Sequence, residues 1–208
     1  MSIQEDIAIR VKEQSPGSLL FINDFHEYDN EYVSKLLSLM ASYGTLVRLA
    51  KGIYYKPIQT EFGVVYPSTE RIIKSIAEHE KAEILPTGEY ALNALGMSTQ
   101  VPMKAVYLTS GTPRVITIGK KQIRLKRRSP RMYAYQSKLM PILELALKAR
   151  GQSNLSNEDL GKVRDILSRS NEQALVYNDL GNAPVWIRKM VKQIFKEINY
   201  EPVAKKNN

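Results

Sequence analysis

Two short β-prone runs, residues 46–49 (Leu-Val-Arg-Leu) and 53–55 (Ile-Tyr-Tyr), flank Ala50-Lys51-Gly52 just after an amphipathic stretch that stops at Gly44. Branched and aromatic residues on both sides of a Gly-containing turn of about three residues specify a β-hairpin. A helix that runs straight into a small basic hairpin is the closing half of a winged helix-turn-helix. The residues upstream supply the opening half. Ile3, Ile7 and Val11 recur at helical spacing and predict a helix over about residues 2–14, ended by Ser15-Pro16-Gly17. The apolar run 19–22 reads as a lone strand, Asn23 as the cap of a short helix to about Tyr28, and Asp29-Asn30 as the entry to a helix over 31–43. In that last helix Val33, Leu36, Leu37 and Met40 face inward, which leaves Tyr32, Ser34, Lys35 and Ser38 as the reading face.

Residues 57–67 lack helical periodicity and read as a connector. Beyond them Ser68 caps a helix carrying Ile72, Ile73 and Ile76, and Thr87 caps another that Gly96 stops. Three strand candidates follow at 104–109, 114–118 and 121–126, the last two joined by Gly119-Lys120. The final third is helical, with Pro141 opening one helix, a Ser156/Asp159 capping box starting the next and Pro184 opening the last. Residues after about 200 read as frayed. The expected fold is therefore α+β: an N-terminal winged helix-turn-helix at 1–57, then a small mixed α+β domain at 67–200 with a helical C-terminal part.

Charge separates these regions. Residues 1–56 carry 6 Lys and Arg against 7 Asp and Glu, whereas residues 101–150 carry 12 against a single acid, Glu144. The net charge of +9 therefore sits in one central block rather than in the module expected to read DNA. Within it, the strand–loop segment 114–131 presents Lys120, Lys121, Arg124, Lys126, Arg127, Arg128 and Arg131 as candidate contacts to a polyanion or an acidic partner. For the N-terminal module the candidate DNA contacts are Tyr32, Ser34, Lys35 and Ser38 on the helix and Arg48, Lys51 and Tyr54 on the hairpin. Short polar side chains suit base edges in the major groove, and hairpin cations suit phosphates.

Catalysis finds little material. There is no Cys, which excludes disulfides and thiolate metal sites and makes a cytoplasmic location the default. Neither His26 nor His79 stands at metal-ligand or triad spacing, and Glu78-His79-Glu80 reads as a solvated helix end. Gly88 and Gly96 make no phosphate loop, because no Gly-Lys-Ser or Gly-Lys-Thr follows. The expectation is a non-enzyme with no catalytic residue, no metal and no cofactor. The N-terminus lacks signal-peptide blocks, and no run approaches the ~18 apolar residues of a membrane span.

The wing at 46–54, the onward segment 66–70 (Tyr-Pro-Ser-Thr-Glu) and residues 84–92 (Ile-Leu-Pro-Thr-Gly-Glu-Tyr-Ala-Leu) resemble the AbiEi-type antitoxins of type IV toxin–antitoxin systems. The chain also resembles a group of winged-helix proteins common in Bacteroidetes, and the likeness spans about residues 1–150. It implies a bacterial, autoregulating transcriptional regulator whose winged helix binds double-stranded DNA in its own promoter. The C-terminal domain would then neutralise a nucleotidyltransferase-like toxin, and the basic block would touch DNA flanks or toxin. Two other readings stay open: a protein-interaction or RNA-binding module without promoter binding, and a nuclease-related factor. The residues do not specify the operator or the oligomeric state.

Overall fold

The computed structural model describes residues 2–100 and 104–200. The fold is mixed α+β, with helices at both ends and small sheets between. It divides into two compact units, one made of residues 1–82 and 114–123, the other of 83–113 and 124–208.

In the first unit the order is α1 (Ile3–Glu13), β1 (Leu19–Phe21), a 3-10 turn (Ile22–Phe25), α2 (Asn30–Ser42), β2 (Val47–Ala50) and β3 (Ile53–Tyr55). Local chemistry sets the boundaries. Ser2 and Glu5 form a capping box on α1, and Asp29 caps α2 by accepting from the Tyr32 amide at 2.9 Å. At the far end of α1 the Lys56 ammonium donates to the carbonyls of Val11, Lys12 and Gln14 at 2.6–3.0 Å, satisfying groups the helix leaves unpaired. Gly44, at φ +77°, turns the chain out of α2 in a conformation that other residues enter at a cost.

The three strands pair antiparallel in the order β1-β3-β2. Leu20 faces Tyr54 on one side, Arg48 faces Tyr54 on the other, and a register shift between Arg48 and Ala50 bends β2. One side of β3 closes the core formed by Ile7, Val11, Leu20, Phe25, Val33, Leu37, Leu46 and Tyr54. Because side chains alternate along a strand, Ile53 and Tyr55 point the other way, yet both are as buried as Tyr54. The expected connector at 57–67 supplies part of that cover. It is a second hairpin, β4 (Ile58–Thr60) and β5 (Gly63–Val65), with Glu61-Phe62 as its two-residue turn. The Tyr55 hydroxyl donates to the Val65 carbonyl at 2.6 Å, and its ring stacks on Tyr66 with centroids 6.1 Å apart. In sequence the segment reads as a connector because each strand is only three residues long, too short for a period of two to stand out.

Helix α3 (Thr69–Glu80), capped by Ser68, belongs to the same unit. His79 at its end stacks on Phe21 at 3.7 Å and bonds Asp24 at 3.0 Å, so this part of the helix end is packed rather than solvated. Strand β8 (Arg114–Ile118) packs beside β2 with Ile116 and Ile118 buried. The first unit thus takes in residues well past 57 and reaches across the chain to 114–123, whereas the sequence suggested a division between 57 and 67.

The second unit holds β6 (Ile84–Pro86), α4 (Glu89–Ala94), β7 (Lys104–Thr109) and the later part of β9 (Lys121–Arg127). It ends in α5 (Leu139–Arg150), α6 (Asn157–Arg169), α7 (Gln173–Asp179) and α8 (Val185–Glu197). Thr87 does not cap α4. Its hydroxyl donates to the Val106 carbonyl at 2.8 Å, and Gly88 occupies the cap position. Helix α5 starts at Leu139, two residues before Pro141, because Ser137, Asp179 and Glu172 already hold the amides at its entrance. Leu143, Ala146 and Leu147 of α5 meet Val163 and Leu167 of α6, Val176 of α7 and Ile187, Val191, Ile194 and Phe195 of α8 in one apolar cluster. The expectation of fraying after residue 200 lies outside the described residues. No helix among the described residues is long and apolar enough to cross a membrane.

Candidate nucleic-acid interface

Helix α2 buries Val33 and Leu37 against the first core and turns Tyr32, Lys35, Leu39 and Tyr43 to solvent. Those four recur at helical spacing, and Tyr43 is 78% exposed. Lys35 shares its charge with Glu31 one turn earlier, Nζ to carboxylate 2.8 Å, an exposed pair that water and salt weaken. Ser34 is half-buried. Ser38 is half-buried too, and its hydroxyl lies 2.9 Å from the Tyr54 hydroxyl.

Tyr54 itself is wholly buried, so it is not a surface contact. It sits in the central strand of a three-stranded sheet, and the bond to Ser38 meets the hydrogen-bonding need of a phenol deprived of water. The two cations of the first hairpin behave differently. Arg48 and Lys51 are exposed, and neither forms an ion pair among the described residues. Other cations of the unit are committed to the fold: Lys56 to the end of α1, Arg10 to Glu27, and Arg114 to Glu80.

The basic block separates in the same way. Lys120 and Lys121 in the first unit, and Arg124, Lys126 and Arg127 in the second, are exposed and form no ion pair among the described residues. On β9 the exposed residues alternate with the buried Ile123 and Leu125, so the strand buries its apolar side chains and leaves its cations in water.

Arg128 and Arg131 are not free contacts. Arg128 is 4% exposed, pairs with Glu83, donates to the Met132 carbonyl and lies 5.1 Å from the centre of the Tyr133 ring. Arg131 donates from both terminal nitrogens to Glu144, whose other contacts are Lys148 and the Tyr135 hydroxyl. The one acid of the basic block is therefore buried at the centre of its own counter-charges. Burial alone would raise the Glu144 pKa, but the bonds from Arg131, Lys148 and Tyr135 outweigh it and hold the carboxyl below its usual range. Burial together with the bond to Glu144 pushes the Tyr135 hydroxyl up, so it remains a donor at neutral pH.

Reading by residue type missed Leu39 and Tyr43 on the exposed face of α2, although their spacing from Tyr32 and Lys35 was visible. It also missed the internal duties of Lys56, Arg128 and Arg131, for which no local signal exists.

Residues 6–175 match the model of a family described as a family of unknown function, DUF6088. The chain belongs to that family. The DUF6088 match takes in the α2 face, both hairpins, the whole basic strand and the Arg131–Glu144 cluster, and stops within α7. No curated protein matches the chain.

Proposed function

We propose that this chain is a DNA-binding transcriptional regulator that reads its own promoter through the first unit and acts as the antitoxin to a nucleotidyltransferase-like toxin. The observation that carries the DNA-binding part is the order helix, strand, helix, hairpin in one unit, with an exposed face on α2 and two unspent cations, Arg48 and Lys51. That order suits a helix laid in the major groove with a hairpin beside it. Tyr32, Lys35 and Tyr43 offer α2 side chains to the groove, and Arg48 and Lys51 offer phosphate contacts. The free cations of β9 add non-specific hold on the polyanion. The antitoxin role rests on the resemblance of the wing and of segments 66–70 and 84–92 to AbiEi-type antitoxins, and the cytoplasmic location on the lack of Cys. No catalytic step belongs to this reading.

The test is a gel-shift titration of the protein against its own upstream DNA at ~150 mM salt. Changing Lys35 and Arg48 together to Ala is expected to weaken binding at least tenfold and to flatten the salt dependence, by about one unit of slope per lost phosphate contact. Undiminished binding by the double variant sinks the role of this face. Rescue of growth when the chain is co-expressed with a neighbouring nucleotidyltransferase-like protein tests the antitoxin part separately.

A second reading, an RNA- or protein-docking module, is favoured by one observation: residues 1–56 carry one more acid than base. Tight binding to structured RNA with none to promoter DNA selects it.

A further inference from the structure

The turn of the β4–β5 hairpin places an aromatic ring fully in water. Phe62 is 100% exposed, and Glu61 beside it is exposed and forms no ion pair among the described residues. The turn is held in shape by the Thr60 hydroxyl, which donates to the Gly63 carbonyl at 2.8 Å. A large apolar side chain kept on a braced two-residue turn, with an acid next to it, has the form of a plug.

The second unit contains a recess of matching chemistry. Between the start of α5 and the end of α6 lies an open groove of about 390 Å³ with Leu139, Ile142 and Ile166 on its walls. Its rim carries Lys138 and Arg169, both exposed and without an ion pair among the described residues. The one acid of the rim, Glu172, is already engaged, accepting from the amides of Lys138 and Leu139 at 2.9 and 3.0 Å. The groove is thus apolar inside and positive at its edge.

We propose that Glu61-Phe62 of a second copy of this chain docks in this groove, with the phenyl ring against Leu139, Ile142 and Ile166 and the carboxylate between Lys138 and Arg169. Charge selects the occupant. A nucleic acid has phosphates that Glu61 repels and that the apolar walls do not satisfy. The segment 201–208 (Glu-Pro-Val-Ala-Lys-Lys-Asn-Asn) carries Lys205 and Lys206, charges of the same sign as the rim. Within one chain Phe62 stands wholly in water, so a second copy presents it free to dock. A reciprocal exchange of plug and socket closes two copies into a dimer, and a one-way contact would instead build chains. The association stands whether or not the protein binds DNA.

Sedimentation velocity of the full chain tests it, followed to ~0.5 mM because a contact this small associates weakly. The weight-average mass is expected to rise above that of one chain with concentration. Phe62→Ser, whose side chain has no packing to lose in the monomer, is expected to weaken association at least tenfold with an unchanged thermal melt. The pair Lys138→Glu and Arg169→Glu is expected to do the same, and adding Glu61→Lys to that pair is expected to restore it. A wild-type protein that stays one chain in mass across the range overturns the proposal. Association undiminished by Phe62→Ser, or not restored by the charge exchange, overturns it as well.

Discussion

Arginine fills two opposed roles in this molecule, and burial of the partner decides which. Arg124 and Arg127 stand in water without an acid among the described residues, while Arg131 commits both terminal nitrogens to a carboxylate that has no solvent of its own. Removing Arg131 leaves Glu144 buried with only Lys148 as a counter-cation. A fully buried pair broken in this way costs about 3–5 kcal/mol. Arg131 is itself 40% exposed, so about 2–3 kcal/mol at pH 7 is expected for Arg131→Ala. The pH dependence has a definite sign. Glu144 is held below its ordinary value of 4.5, so its contribution is complete above that pH and fades as acid titrates the folded carboxyl. Urea denaturation should therefore show the deficit of Arg131→Ala smaller at about pH 2.5 than at pH 7, with the loss falling below pH 4.5. A deficit of equal size at both pH values would mean that the charge of Glu144 does not matter.

At the scale of elements, the first hairpin depends on its turn more than on its strands. Gly52 sits at φ +77°, and a Cβ there would meet Ile22 only at an ordinary 3.5 Å. The cost of Gly52→Ala is then backbone strain alone, about 1–2 kcal/mol. Gly44, at the same φ with nothing within 4 Å of a Cβ, should cost a similar amount. Asn tolerates this conformation better, so Gly52→Asn should melt above Gly52→Ala in a differential scanning experiment. Equal melting of the two variants would point to crowding rather than strain. The turn was legible in the sequence because glycine reports a backbone requirement directly. The depth of the strand behind it was not. Tyr54 alternates with its neighbours as any strand residue does, and nothing local distinguishes a tyrosine facing solvent from one covered on its other face by a distant segment.

At the scale of the molecule, the chain folds as two units that are not two stretches of sequence. Residues 114–123 leave the second half of the chain to join the first unit, where Ile116 and Ile118 are buried. Each of those side chains gains about 1.5–3 kcal/mol from leaving water. A fragment ending at Ala82 should accordingly melt at least several degrees below the full protein, or lose its cooperative transition, as followed by circular dichroism. A fragment as stable as the whole would make strand β8 dispensable to the first unit. The sequence by itself determined the class of the fold, most helices, the first hairpin and the location of the positive charge. These depend on periodicity, capping and composition, which neighbouring residues carry together. Only the tertiary structure decided that Tyr54 is core, that Lys56 closes α1, that Arg128 and Arg131 serve Glu83 and Glu144, and that residues 114–123 belong with the first unit. Each of those is a contact between residues from 13 to more than 60 positions apart in sequence or a burial produced by such contacts, and short-range pattern holds no record of it. What remains in water once they form is the surface that the two proposals use: the face of α2 with Arg48 and Lys51, and Phe62 with the groove that suits it.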